Sequence, residues 1–369
     1  MERANVYFTN MRTKMNDNLQ QKLARLIKKA GIGAIDFDKK YAAIKIHFGE
    51  PGNLAYLRPN YARTVADVVK ELGGKPFLTD CNTLYVGGRK NALDHIESAY
   101  INGFTPYTTG CHILIGDGLK GTDDVLVPVE GGEYVKEAKI GRAIMDADVF
   151  ISLSHFKGHE CTGFGGALKN IGMGCGSRAG KMEMHSAGKP HVNQELCIGC
   201  GRCAKICAHD APKITDRKAS IDHSKCVGCG RCIGVCPQDA VLPASDESND
   251  ILNKKIAEYT KAVIDGRPSF HISLVVDVSP YCDCHAENDA AVVPDVGMFA
   301  SFDPVALDRA CADAVNRQPV IANTVLSEHD HTGHDHFSAI SPATNWEVGL
   351  EHAEKIGLGT QDYELIEVD

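Results

Sequence analysis

Long apolar runs are missing from this chain. No stretch approaches the roughly 18 apolar residues that suggest a membrane span, and the segment 1–16 holds no apolar core of signal-peptide length. A soluble cytoplasmic protein, with no membrane partner, is the expectation. Long Lys/Arg runs are missing as well. The formal charge is −9, and phosphate backbones need a positive surface, so nucleic acid is not expected as a main partner. Neither the G-x-x-x-x-G-K-[ST] phosphate loop nor the G-x-G-x-x-G dinucleotide fingerprint occurs, and no flavin or nicotinamide motif is evident.

What is present is cysteine. The chain has 369 residues with 43% hydrophobic content and 15 cysteines. That length fits one large domain plus an insert, or two domains, and the composition allows a packed core. In a small secreted domain so many cysteines would suggest disulfides. Here eight of them fall into a metal-type spacing, which favours ligation.

CIGCGRC at Cys197–Cys203 recurs as CVGCGRC at Cys226–Cys232. Cys207 and Cys236 follow at matching distances, so C-x2-C-x2-C-x3-C occurs twice. Three close thiolates hold three irons of one cube, and the fourth cysteine reaches the other cube. The spacing therefore predicts two [4Fe–4S] clusters. One takes Cys197, Cys200, Cys203 and Cys236; the other takes Cys226, Cys229, Cys232 and Cys207. Gly199, Gly201, Gly228 and Gly230 let backbone N–H groups approach the clusters. Structural zinc is the competing reading, but it needs four ligands and no doubled crossover.

Around this segment strand-like and helix-like stretches alternate. Ala43–His47, Pro76–Thr79, His112–Ile115, Asp148–Leu153 and Phe270–Val278 read as strands. Pro59–Leu72 and Asp250–Ile264 read as helices, and Asp303-Pro304 opens another to about Asn316. Asn345 is expected to cap the last helix and Gly357 to end it. The fold class is α/β, a mostly parallel sheet flanked by helices, with an inserted ferredoxin-like α+β module. Residues 1–190 and 245–369 form the two parts of the α/β domain, and residues 191–244 the two-cluster module.

In open α/β sheets ligands bind at the carboxyl ends of strands. Lys157, His159, Lys169 and Asn170 lie after Asp148–Leu153 and are candidate catalytic residues for an anionic substrate. Gly163–Gly166 leads into a short helix; it either cradles an anion or allows tight packing. Cys282-Asp283-Cys284-His285 follows Phe270–Val278. Cys282, Cys284 and His285 form a compact soft-ligand set for a third metal or cluster, with Cys175 the best fourth ligand and Cys161, Cys81, His159 or His185 as others. Reduced, unligated thiols are the alternative. Cys111 and Cys311 sit in apolar patterns and read as core. His329, His331, His334 and His336 read as a solvated loop, and Lys120–Asp124 as a turn.

The segment 193–243 resembles bacterial-type two-cluster ferredoxins; Cys236 is followed by Pro237 as in that family, whereas Cys207 is followed by Ala208. The whole chain resembles a family of iron–sulfur-centre proteins in which a two-cluster ferredoxin is inserted in an α/β domain of unknown function. KIHFGEPGN (Lys45–Asn53), DCNTLYVGGR (Asp80–Arg89), HFKGHECTGFGGALKNIGMGCGSRAGK (His155–Lys181), CDCH (Cys282–His285) and DPVALD (Asp303–Asp308) carry the resemblance. It implies an iron–sulfur protein, frequent in anaerobes, and no particular reaction.

Three functions are weighed. The first is an iron–sulfur oxidoreductase whose module feeds low-potential electrons to the α/β site, as in a reductase of a small anionic substrate. The second is a non-enzymatic electron carrier or adaptor docking a redox partner protein. The third is a metallocentre-handling protein. A carrier needs only the small module, so the size of the α/β part favours the first.

Overall fold

The computed structural model describes residues 3–84, 87–185, 189–243, 248–329 and 335–369. Eight strands form one sheet in the order Tyr363–Glu367, Ala4–Asn10, Gly297–Ser301, Ser269–Val275, Val149–His155, Tyr41–Lys45, Lys75–Asp80, His112–Ile115. Gly297–Ser301 runs antiparallel to both neighbours; every other pairing is parallel. The strand Val149–His155 is buried along its whole length, as a central strand covered on both faces must be.

Side chains alternate across the sheet with the two-residue period of a strand. Ile44, Ile151 and Ile272 pack with Leu26, Val65 and Val69 of the helices Leu19–Lys29 and Pro59–Glu71. Ala43 and Phe150 face the other way. They meet Ile171 of the helix Ala167–Cys175 and Ile256, Tyr259 and Val263 of the helix Asn249–Ile264. The helix Pro304–Asn316 covers Val275 and Phe299 beside them. No helix among the described residues is long and apolar enough to cross a membrane.

The expected strands and helices fall within a few residues of the observed ones. His112–Ile115 and Pro304–Asn316 coincide with the reading, and Asp303 Oδ1 accepts from the amides of Val305 (2.8 Å) and Ala306 (3.0 Å). The last helix, Glu347–Lys355, differs. Its N-cap is Trp346, which makes no side-chain cap, and the Asn345 carbonyl accepts from Asn253 Nδ2 at 3.2 Å. Gly357 follows the helix with φ +77, the left-handed conformation that favours glycine.

The cysteine-rich segment sits outside the large sheet. Pro190–Val192 pairs antiparallel with Val241–Pro243, and Pro212–Thr215 with Lys218–Ile221. Two short helices, Arg202–Ile206 and Arg231–Gly234, follow the two cysteine motifs. Pro190 lies opposite Pro243, so the chain leaves and returns at one place.

Strands from before and after this segment interleave, since Ser269–Val275 pairs with Val149–His155 on one side and Gly297–Ser301 on the other. Residues 1–190 alone should therefore show no cooperative unfolding in urea. A chain joining residue 190 to residue 243 through a short linker should stay soluble and unfold cooperatively by circular dichroism. A cooperative transition from the 1–190 fragment would sink the expectation.

Candidate active site and cysteine-lined cavities

The carboxyl ends of Tyr41–Lys45, Lys75–Asp80 and Val149–His155, with the loop after Ser269–Val275, enclose a cavity of about 70 Å³. Lys45, Lys157, Lys169, Lys181 and Arg89 line it, together with Asp80 and Cys282. A buried ammonium needs a partner, and each lysine has one. Lys45 Nζ lies 2.9 Å from Asp80 Oδ1. Lys157 Nζ lies 3.5 Å from Asp283 Oδ2, Lys169 Nζ donates to Cys282 Sγ at 3.3 Å, and Lys181 Nζ donates to the Gly176 carbonyl at 2.6 Å.

Asp283 fixes the cysteine loop. His155 Nδ1 lies 2.9 and 3.0 Å from its two carboxylate oxygens, and its backbone carbonyl accepts from the Glu50 amide at 2.9 Å. Cys282 and Cys284 flank this anchor, and both line the cavity. Ligand atoms of His159, Cys282 and Cys284 all lie within 4.8 Å of one another. The Cys284 S–H, and then Lys169, Lys157 and His159, hold the Cys282 thiol well below its ordinary value against the opposing effect of burial. Burial alone would lower Lys169; the Cys282 sulfur beside it raises it instead. His159 Nδ1 accepts from the backbone amides of Cys161 (3.0 Å) and Thr162 (3.3 Å). A neutral imidazole has one donor and one acceptor, so the ring proton belongs on Nε2.

Lys157, His159, Lys169, Asn170, Cys282 and Cys284 thus share one cavity. Asn170 is a clamp within it. Its Oδ1 accepts from Lys45 Nζ at 2.8 Å, and its Nδ2 donates to the Lys45 carbonyl, the Leu153 carbonyl and Ser154 Oγ at 3.2, 3.2 and 3.0 Å. His285 is half-exposed, with Nε2 2.9 Å from Glu160 Oε1, and these two lie with Cys284 in a second group whose ligand atoms are within 4.8 Å of one another. Burial would raise the Glu160 carboxyl, but His285 and then His159 bring it down to about 2. Cys175 stands apart in the core, pushed up to about 12 by burial. Its carbonyl accepts from the Cys81 thiol at 3.4 Å. Cys81 and His185 line the cavity, and Cys161 lies with His159 and Glu160.

The glycine-rich turn does not offer its helix N-terminus to an external anion. Asp308 occupies it, accepting from the Ala167 amide at 2.6 Å and the Leu168 amide at 2.9 Å. The protein supplies its own carboxyl there. His336 is buried rather than solvated, with Nε2 3.0 Å from the Gln318 carbonyl. His329 is exposed, and His331 and His334 lie outside the described residues. Cys111 and Cys311 are buried in the core as read. Asp80, which follows the strand read at Pro76–Thr79, lies where a strand-end site was expected, whereas Lys45, Arg89 and Lys181 were missed as lining residues. A lysine closing an otherwise apolar strand was the available signal.

Two further cavities, each of about 20 Å³, lie in the cysteine-rich segment. Cys197, Cys200, Cys203 and Cys236 line one; Cys207, Cys226, Cys229 and Cys232 line the other. Gly199, Gly201, Gly228 and Gly230 all have φ between +66 and +73. The Ala219 amide donates to Cys197 Sγ and the Ala240 amide to Cys236 Sγ, both at 3.2 Å.

The helix Arg178–His185 lies between the two regions. Met182 packs in the cluster that holds Cys197, Cys203 and Cys232, and a side-chain carbon on Gly230 would meet Arg178 Cγ at 2.7 Å. Lys181 and His185 of the same helix line the cationic cavity. Arg178 is buried, donates to the carbonyls of Lys90 and Lys120, and leaves its Nε without a partner among the described residues.

Residues 42–313 match the family described as a domain of unknown function, DUF362, and the chain belongs to that family. A thylakoid-associated protein of Synechocystis is 29% identical over 131 residues, which span 34% of this chain and 35% of that one. A crystal structure of a Thermotoga maritima protein aligns with a TM-score of 0.38 at 12% identity, covering 91% of this chain and 58% of that one. The lactate racemase apoprotein of Thermoanaerobacterium thermosaccharolyticum aligns with a TM-score of 0.31 at 12% identity, covering 74% and 51%.

Burial lifts the Asp308 carboxyl to about 7 against the pull of the Leu168 and Ala167 amides and Lys157. A carboxyl whose folded pKa is raised binds more protons folded than unfolded, so its contribution to stability falls as pH rises from about 4 to about 7. Asp308→Asn should remove that fall. The wild-type-minus-variant difference in unfolding free energy should drop by a few kcal/mol at most across the window, measured by urea titration at each pH. A difference that is flat or rises would show that the two amides outweigh burial.

Proposed function

We propose that this DUF362 member is an iron–sulfur redox protein, in which residues 191–244 hold two [4Fe–4S] clusters and supply low-potential electrons to the cationic cavity. The observation that carries the reading is the shared helix. Arg178 and Met182 pack on the cysteine-rich segment, while Lys181 and His185 line the cavity. Electrons leaving the segment would have one helix to cross.

The donor set fits the clusters. Each small cavity is lined by four cysteines, three from one motif and one from the other, as the crossover pattern requires. Zinc bonded tetrahedrally to thiolates at about 2.3 Å would draw the sulfurs to roughly 3.8 Å of one another. No three of these eight sulfurs form a group within 4.8 Å among the described residues. Left-handed glycines and two amide-to-sulfur hydrogen bonds accompany the cavities. Such N–H groups tune the potential of a bound cluster. Arg178, with one donor unpaired beside Gly230 and Gly234, suits an anionic neighbour.

At the other end, Lys157, Lys169 and Lys181 around a small enclosed space favour a small anion. Lys169 and His159 can hold it or donate protons. The bound clusters would supply one-electron chemistry; this chain's residues orient the anion and exclude water. Reduction of a small anionic substrate is the activity these parts support. Handling of a metallocentre is the second reading, favoured by the approach of His159, Cys282 and Cys284.

Anaerobically prepared protein should contain about eight irons and eight sulfides per chain. Cys207→Ala should damage the cluster that Cys226, Cys229 and Cys232 would otherwise complete and leave the other, halving the iron that survives desalting. Zinc in place of iron would end the proposal. Lys169→Ala should weaken binding of a small oxyanion to the holoprotein by about tenfold or more, a loss of roughly 1.4 kcal/mol, checked by calorimetry.

A further inference from the structure

We propose that Cys282 and Cys284 are a redox-active dithiol that interconverts with a disulfide and holds two electrons beside the cationic cavity. The inference rests on reading the cysteine-rich segment as an electron source, and it names the first group those electrons reach. A two-electron station would match two one-electron donors to a substrate that takes an electron pair. The cavity contains the parts of one.

The geometry is specific. Asp283, between the two cysteines, is held by His155 at 2.9 Å and by the Glu50 amide on its carbonyl. The loop therefore keeps both thiols at the cavity wall. Residues two apart cannot have Cα atoms more than about 7 Å apart, close to the range a disulfide spans. The sulfurs already lie within 4.8 Å of each other. Lys169 Nζ at 3.3 Å from Cys282 Sγ stabilises the thiolate, which is the attacking form in exchange. Cys284 is then the resolving thiol.

The same geometry argues against a resident metal on this pair. His159 spends Nδ1 on two backbone amides, so a neutral ring carries its proton on the other nitrogen. It can donate to a thiolate there but offers no lone pair to a metal. His285 Nε2 lies 2.9 Å from Glu160 Oε1, and these two approach Cys284 as a separate group. Groups of three donors occur here among the described residues, His159 with Cys282 and Cys284 and Glu160 with Cys284 and His285, but no four converge, whereas a structural zinc takes four.

Oxidation joins the Cys282 thiolate to the Cys284 thiol, forming one S–S bond and releasing one proton and two electrons. Reduction cleaves that bond. Two low-potential one-electron donors supply the electrons, and one proton returns to Cys284. Lys169 regains the Cys282 thiolate as its partner.

The test uses the anaerobic holoprotein equilibrated with 2-mercaptoethanol and its disulfide in a series of ratios, then quenched in acid and alkylated. Peptide mass spectrometry should show a single two-electron transition. The peptide holding both residues becomes lighter by two hydrogen atoms and no longer takes the alkylating agent. Cys284→Ser should abolish that species and leave Cys282 as a mixed disulfide with mercaptoethanol; Cys282→Ser should abolish both. The wild-type transition needs no variant to fold. Full alkylation of both thiols at every ratio would overturn the proposal. So would zinc or iron bound stoichiometrically at these thiols, shielding them in the reduced protein. A preparation with about eight irons that forms no disulfide refutes the dithiol alone. A preparation without iron that forms it refutes the electron-supply reading alone.

Discussion

An ammonium group taken out of water has to be given an anion or a set of acceptors, and the carboxyl edge of this sheet is organised around that requirement. Lys45 has Asp80, Lys157 has Asp283, and Lys169 has the Cys282 sulfur. Removing either partner of such a buried pair typically costs about 3–5 kcal/mol, because the other charge is stranded. Each pair also joins different parts of the fold. Lys45 and Asp80 tie adjacent strands. Lys157 and Lys169 tie the turn and helix after Val149–His155 to the loop after Ser269–Val275. The pairs hold the cavity open by making its walls mutually dependent.

That dependence explains how a chain interrupted by some fifty residues keeps one site. The interruption leaves and returns between paired residues, Pro190 and Pro243, so the sheet on either side is not spread apart. The parallel arrangement does the rest. Strands that run the same way release their following loops on one edge. The groups after Lys45, Asp80, His155 and Val275 meet there despite their separation in sequence. The helix Arg178–His185 precedes the interruption, and its residues touch both regions.

The legible parts of the sequence were those fixed by local pattern. Alternation and a Pro-initiated helix gave His112–Ile115 and Pro304–Asn316, because β-branched runs and an Asp-Pro cap act over a few residues. The meeting of Lys157, Lys169 and Cys282 was legible from topology alone, since it needed only parallel strands. What was not legible depended on partners distant in sequence. Asp308 fills a helix N-terminus that, read locally, looked like a place for a ligand. Asn345 reads as a cap, yet the helix begins one residue later and the Asn345 carbonyl serves Asn253 of a distant helix. Arg89 and Lys181 enter the cavity from loops and helices whose facing no periodicity fixes.

His159 decides what kind of chemistry the Cys282 loop can perform, and it does so through atoms that carry no charge. Two backbone amides, from Cys161 and Thr162, point at one ring nitrogen. They exist because the chain turns tightly between Lys157–His159 and Gly163–Gly165, which pair with each other. The hairpin thus favours a tautomer in which the ring offers Cys282 an N–H instead of a lone pair. Lys169 adds a positive charge on the same sulfur. Both contacts favour sulfur as an anion with donors around it, the state from which a thiol reacts. A metal would need the opposite, a lone pair from the imidazole and no ammonium against the thiolate. A few backbone hydrogen bonds in a short hairpin therefore weigh between the two uses proposed for these residues, thiol redox chemistry and metal binding.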